Sequence, residues 1–225
     1  MPRMKALTSM CWRVALLAVT CLFINAAARA QQFSADIVMR QDGVSKPAGR
    51  LSVRDGRVRI ETAEHPDGFF LIDAEKPSAS FVRPAARVFM DAKQSSRLTR
   101  LLVPVDPDAP CTQWQAMAKL AGVAEHGEWR CERTGEEAID GRSTIAFRAS
   151  SDAGEAFVGW IDRERKFPLR IRTGDGGLFT LEKIKDGALP ESSFEIPAGA
   201  RKFSPEALID RIKQSDVWVA SPEER

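Results

Sequence analysis

Two Asp-Gly pairs, each set between runs in which apolar and polar residues alternate, restrict this chain more than any other feature of its 225 residues. Phe33, Ala35, Ile37 and Met39 alternate with more polar neighbours up to Asp42-Gly43. Leu51 and Val53 continue the pattern to Asp55-Gly56, after which Val58 and Ile60 face one way and Arg57, Arg59 and Glu61 the other. A period of two is the signature of a strand with one buried face. Asp-Gly supplies the positive φ angles that a tight hairpin turn needs, because its strand-matching twist is closed to most side chains. Residues 68–73, 80–83 and 87–91 read as three further short strands, so the first half is a meander.

The period then changes. Leu98, Leu101 and Leu102 sit at helical spacing in a stretch that starts near Ala92. Beyond the loop from Pro104 to Pro110, Cys111, Trp114, Met117, Ala118 and Ala121 recur every three or four residues, which predicts a second short amphipathic helix. Trp129 and Cys131 belong to a strand, and residues 143–149, 155–162, 167–173 and 178–184 form a second meander, with turns at Asp152-Ala153-Gly154, Asp162-Arg163 and Asp175-Gly176-Gly177. A last helix is expected from Ser204 as N-cap, Pro205 and Glu206, with Leu208, Ile209 and Ile212 as its stripe and a charged tail after about residue 220. The expected fold is mainly β with inserted helices: one curved antiparallel sheet or half-barrel of about ten strands under a helical lid.

The first 30 residues carry Arg3, Lys5 and Arg13, then an apolar run from Val14 to Ile24, then Ala28-Arg29-Ala30. That order is a secretory signal with cleavage expected after Ala30, and its apolar core of about a dozen residues is short of the roughly 20 that span a membrane. Residues 31–225 are then expected to be a single periplasmic domain. Cleavage at Ala30 also discards Cys21, whose neighbours suit lipidation poorly. Losing Arg3, Lys5, Arg13 and Arg29 without any acid takes the formal charge from +2 to a small negative value. With no basic cluster left, a nucleic-acid partner is not expected. Cys111 and Cys131 remain, and in an oxidising compartment they predict a structural disulfide, since a redox pair would want a closer spacing.

Catalytic chemistry is thin. His65 in His65-Pro66-Asp67-Gly68 reads as a turn before a strand more readily than as a metal or acid–base site, and His126 beside Gly127 is similar. Glu136, Glu137 and Asp140 read as solvated acids around a turn. No nucleophile elbow, phosphate loop or zinc-helix motif occurs. No enzyme activity, metal or cofactor is expected. Arg57 with Arg59, and Arg170 with Arg172, read as solvated rows on an outer sheet face, the sharper reading being contact with an anion or a lipid headgroup.

The apolar residues are more informative. Leu98, Leu101, Leu102, Trp114 and Met117 lie on helices that must cover something, and Val58, Ile60, Phe69, Leu71, Phe147 and Phe157 are the expected inward residues of the sheet. Together they line a cleft suited to an acyl chain or an apolar protein segment, or else they close into a packed core, which apolar burial of roughly 25 cal/mol per Å² favours.

Three stretches add a resemblance: Phe33-Ser-Ala-Asp-Ile-Val followed by Gly49-Arg-Leu-Ser-Val-Arg-Asp-Gly-Arg-Val-Arg-Ile-Glu; Ser80-Phe-Val-Arg-Pro-Ala-Ala-Arg-Val-Phe-Met; and Gly159-Trp-Ile-Asp, Phe167-Pro-Leu-Arg, Leu181-Glu-Lys-Ile-Lys-Asp-Gly and Phe194-Glu-Ile-Pro-Ala-Gly. In their joint order they resemble the LolA-like periplasmic lipoprotein-carrier superfamily. The resemblance implies a half-barrel with a helical lid over a hydrophobic concavity, and a carrier of a hydrophobic ligand or lipoprotein. Its rival is an envelope protein that meets another through a sheet edge or outer face. Two departures stand out. The family places a helix ahead of the first strand, and it places a lid-holding arginine in the turn where this chain has Asp55, flanked by Arg54 and Arg57.

Overall fold

The Asp-Gly turns form as their chemistry dictates. Asp42 and Gly43 take φ of 53° and 78°, Asp55 and Gly56 take 48° and 79°, and Asp140 and Gly141 take 48° and 74°. Each closes a hairpin in which the strands pair antiparallel on either side. The structure, a computed structural model, describes residues 31–92, 96–122, 128–152, 154 and 156–204. The signal segment, His126 and the expected C-terminal helix therefore lie outside the described residues. The chain divides at Gln31/Gln32, and the sheet lies wholly in the unit Gln32–Arg225.

The first meander is β1 (Gln32–Gln41), β2 (Val44–Arg54), β3 (Arg57–Thr62), β4 (Phe69–Asp73), β5 (Ser78–Arg83) and β6 (Val88–Asp91). Helices α1 (Leu98–Leu101) and α2 (Pro110–Leu120) follow. The second meander is β7 (Trp129–Ile139), β8 (Arg142–Ser151), β9 (Ala156–Asp162), β10 (Phe167–Thr173) and β11 (Leu178–Asp186). A 3-10 turn at Glu191–Phe194 leads to β12 (Arg201–Lys202). One open 12-stranded sheet results, in the order β12-β6-β5-β4-β3-β2-β1-β11-β10-β9-β8-β7. The two meanders meet where β1 pairs with β11, bringing Ile37 opposite Leu181. Sequence pattern had suggested about ten strands. The strand that the pattern did not foresee is β12, a two-residue parallel cap on β6.

The sheet must be strongly bent. Gln113 donates from Nε2 to the carbonyl of Ala74, just past β4, at 2.9 Å, while the next residue, Trp114, packs on β9. In a flat sheet those strands would stand about 30 Å apart, six spacings of about 4.8 Å. Neighbouring residues of one helix reach both only if the sheet wraps around α2. The concave side is thereby filled: Phe33, Ile37, Leu51, Ile60, Phe70, Leu102, Trp114, Met117, Phe147, Phe157 and Leu169 belong to a single apolar core.

The convex side is not simply solvated. The chain after β11 runs back over it, and Arg54 donates to the Leu189 carbonyl at 2.7 Å, Arg57 to Glu191 at 3.2 Å and Arg59 to the Ser193 carbonyl at 3.1 Å. Arg54 and Arg57 thus hold this C-terminal strap and not the lid. The strap buries Phe194 and ends at β12.

Candidate functional site

The lid is mostly α2. Pro110 at its first turn needs no amide partner, and Trp114, Met117 and Ala118 form its buried stripe. The stretch expected to be a longer first helix yields only the single turn α1, whose chain then docks through the Val105 amide on the Lys166 carbonyl at 2.7 Å. The Cys111–Cys131 disulfide forms, with Cα atoms 5.6 Å apart, and fastens the first turn of α2 to β7.

Trp114 is the centre of the site. Its ring meets Phe157 edge-on at 4.8 Å, Phe157 meets Trp129 at 5.9 Å, and its indole N–H donates to the Leu101 carbonyl at 3.2 Å. Beneath it lies Gly159, where a Cβ would come within 2.7 Å of the indole Cη2. A side chain there would collide with the ring, so glycine at this strand position is what lets the lid seat. Trp114 is only 1% exposed.

Most of the expected lining is inward but packed. Val58, Ile60, Leu102, Met117, Leu98, Phe147 and Phe157 are all buried in the core, so the hollow beneath the lid is filled by protein. Leu101 is half-buried and reaches a cleft at the lid edge. Phe69 and Leu71 are different. Pairing sets Val58 opposite Ile72 and Ile60 opposite Phe70, so Phe70 and Ile72 point inward while Phe69 and Leu71 share the convex face with Arg59. The Arg59 guanidinium lies 3.5 Å over the Phe69 ring, which leaves Phe69 buried outside the core. A register one residue different from the expected one moves these side chains through the sheet.

Space for a guest lies at two margins of the lid. One cleft of about 200 Å³ is lined by Leu101, Trp114, Ala118, Trp129 and Phe157, with Arg97, Arg100, Thr173 and Asp175 at its mouth. A second, of about 470 Å³, is lined by Met39, Pro47, Leu98 and Phe179 together with the charged side chains Lys46, Glu64 and Arg97. Arg97 borders both and pairs with Asp175 at 2.5 Å. The Thr173 hydroxyl donates to the other Asp175 oxygen at 2.6 Å, and these bonds hold the Asp175 carboxyl down to about 2, Thr173 contributing most and Arg97 next. Sequence reasoning left out Arg97 and Asp175, because two exposed charges 78 residues apart carry no mutual signal.

The polar candidates resolve into structure. His65 sits in a turn with its ring edge toward Phe70 and Phe81, at 5.8 and 5.4 Å, and its Nδ1 is 3.4 Å from the Thr62 hydroxyl. Glu136 and Glu137 are exposed, as expected of solvated acids, but lie within β7, Glu137 accepting from Arg170 at 2.8 Å and Glu136 pairing with Arg133 and Arg163. Arg170 and Arg172 flank Trp160, each 5.5 Å from its ring centre. Among the described residues, no group of three or more His, Cys, Asp or Glu side chains is placed to hold a metal ion. No described helix is long and apolar enough to cross a membrane.

No protein-family description matches the chain, and no curated protein does. Solved structures do. PNGF-II is 8% identical with a TM-score of 0.48, over 81% of this chain and 33% of that one, so the chain spans about a third of its length. MucB of Pseudomonas aeruginosa, in its complex with MucA, is 18% identical with a TM-score of 0.40, over 75% of this chain and 56% of that one. An outer membrane lipoprotein-sorting protein domain from Vibrio parahaemolyticus is 10% identical with a TM-score of 0.34, over 73% of this chain and 89% of that one. The structural neighbours thus include a lipoprotein-sorting domain and MucB.

Proposed function

We propose that this protein is a non-catalytic binding or carrier module of the bacterial periplasm that takes a hydrophobic ligand, a lipid acyl chain or a lipoprotein segment, beneath its helical lid. The observation that carries the reading is the aromatic cleft at the lid edge, lined by Trp114, Trp129 and Phe157, in which Phe157 meets Trp114 edge-on and Trp129 at a tilt. The signal-like N-terminus and the disulfide support an oxidising compartment.

Because the interior is filled, uptake is an exchange. A ligand enters by displacing apolar side chains of α2 from the concave face. Removing a buried tryptophan costs about 3–5 kcal/mol. Each methylene taken out of water returns about 0.8 kcal/mol, so about four to six methylenes offset that cost. The disulfide keeps one end of α2 attached to β7 throughout.

Native mass spectrometry of the purified protein tests this directly. A co-purifying lipid, absent from a folded Trp114→Ala variant, is the expected result. A bare protein that also ignores added lipid would end the carrier reading.

One observation supports a second reading, an envelope regulatory or assembly protein. Strand β7 ends the sheet, and among the described residues no strand pairs with its outer side. That edge can take an extended segment of a partner. Capture of a specific envelope protein, lost when Thr134→Pro blocks the edge, is the expected outcome there.

A further inference from the structure

We propose that Arg97 is the head-group site of the lid clefts, and that the ligand is a single-chain amphiphile whose carboxylate head replaces Asp175 on the Arg97 guanidinium. The inference rests on the binding-module reading above and adds to it the chemical class of the ligand and the residue that selects it.

Four observations converge. First, Arg97 borders both clefts, so a head held there leaves a tail free to lie along the apolar surface of either. Second, the Arg97–Asp175 pair is about half exposed on each side, at 58% and 52%, and such pairs are weak and screened. A carboxylate brought in by an apolar tail competes with Asp175 on equal chemical terms, and the planar guanidinium fork suits it. Third, the exchange leaves no orphan. Asp175 retains the Thr173 hydroxyl at 2.6 Å when Arg97 turns away. Fourth, the aromatic cleft is narrow. At about 200 Å³ it has room for one thin chain. Among the described residues its charged lining is Arg97, Arg100 and Asp175, and Arg97 is the cation that faces Asp175 there.

The exchange also gives the head a role in opening. Arg97 immediately precedes α1, and Asp175 lies in the turn between β10 and β11. Their pair is a side-chain link from the lid to that turn, so an arriving carboxylate unfastens the lid at the point where its own tail must pass.

The test uses the whole protein with dodecanoate and dodecanol, which share a tail and differ in the head. Binding is read from tryptophan emission and calorimetry, with thermal melts to confirm folding of each variant. The expected result is that the acid binds about tenfold more tightly than the alcohol. Arg97→Gln should weaken the acid alone and erase that preference, and Asp175→Asn, which removes the internal competitor, should tighten the acid severalfold. Equal binding of acid and alcohol to the unaltered protein, or a loss of both in Arg97→Gln, overturns the head-group site while leaving an apolar binding module in place. Binding of neither overturns both. The acid–alcohol comparison on the unaltered protein decides the matter even if a variant fails to fold.

Discussion

Gly159 and Trp114 show how one absent side chain positions a lid. A methyl group at 159 would press on the indole at 2.7 Å, backed by Ile171 at 3.3 Å, in a core with no slack. Gly159→Ala is expected to lower stability by about 1–3 kcal/mol in denaturant unfolding, whereas Gly187→Ala, with nothing within 4 Å of its Cβ, should be close to neutral. Asp175 gives a pH signature at the same scale. Its carboxyl is lowered from 3.8 to about 2, first by the Thr173 hydroxyl and then by Arg97. A carboxyl with a depressed folded value stabilises fully above its ordinary value and loses that contribution as the pH falls through the depressed one. Acid unfolding curves of the unaltered protein and Asp175→Asn should therefore differ above pH 3.8 and converge as the pH drops through about 2. The inward set Val58, Ile60, Trp114, Met117, Phe147 and Phe157 was legible, because each lies in a run with a clear period. Phe69-Phe70-Leu71-Ile72 is apolar at every position, so its phase had to come from pairing with β3.

Helices and strands repeat that lesson one scale up. Strand β11 and the Asp-Gly hairpins were readable from alternation, and α2 from its stripe and its proline. Strand β7 was nearly invisible beyond Trp129 and Cys131. Its pairing with β8 shifts register between Arg133 and Gly135, which breaks the period, and as an edge strand it carries charge on both faces. Leucines spaced at three and four residues do not separate one helical turn from several, so α1 came out shorter than expected. The disulfide makes a firm prediction for the lid. It closes a loop with a sequence separation of 20, and removing it by Cys111→Ser with Cys131→Ser should cost about 3 kcal/mol. Urea midpoints with and without reductant measure this: reductant should shift the unaltered protein and leave the double variant unmoved.

The unit Gln32–Arg225 is built on a bent sheet whose two meanders both reach α2. Its class was legible from composition of period alone, but the depth of the bend was not, since curvature is set by what α2 touches and not by any local run. The strap over the convex side was equally hidden. Arg57 and Arg59 looked like a solvated row until the chain 134 residues further on supplied their partners.

The contacts of Gln113 with the chain just past β4 and of Trp114 with β9 have a mechanical outcome. Helix α2 acts as a clasp between the two meanders, and freeing it removes one link that holds them together. Spin labels at Ser78 on β5 and Ser143 on β8 should therefore move apart whenever a guest dislodges the clasp, so that cargo held at the centre is announced as a change of width at the molecule's rim.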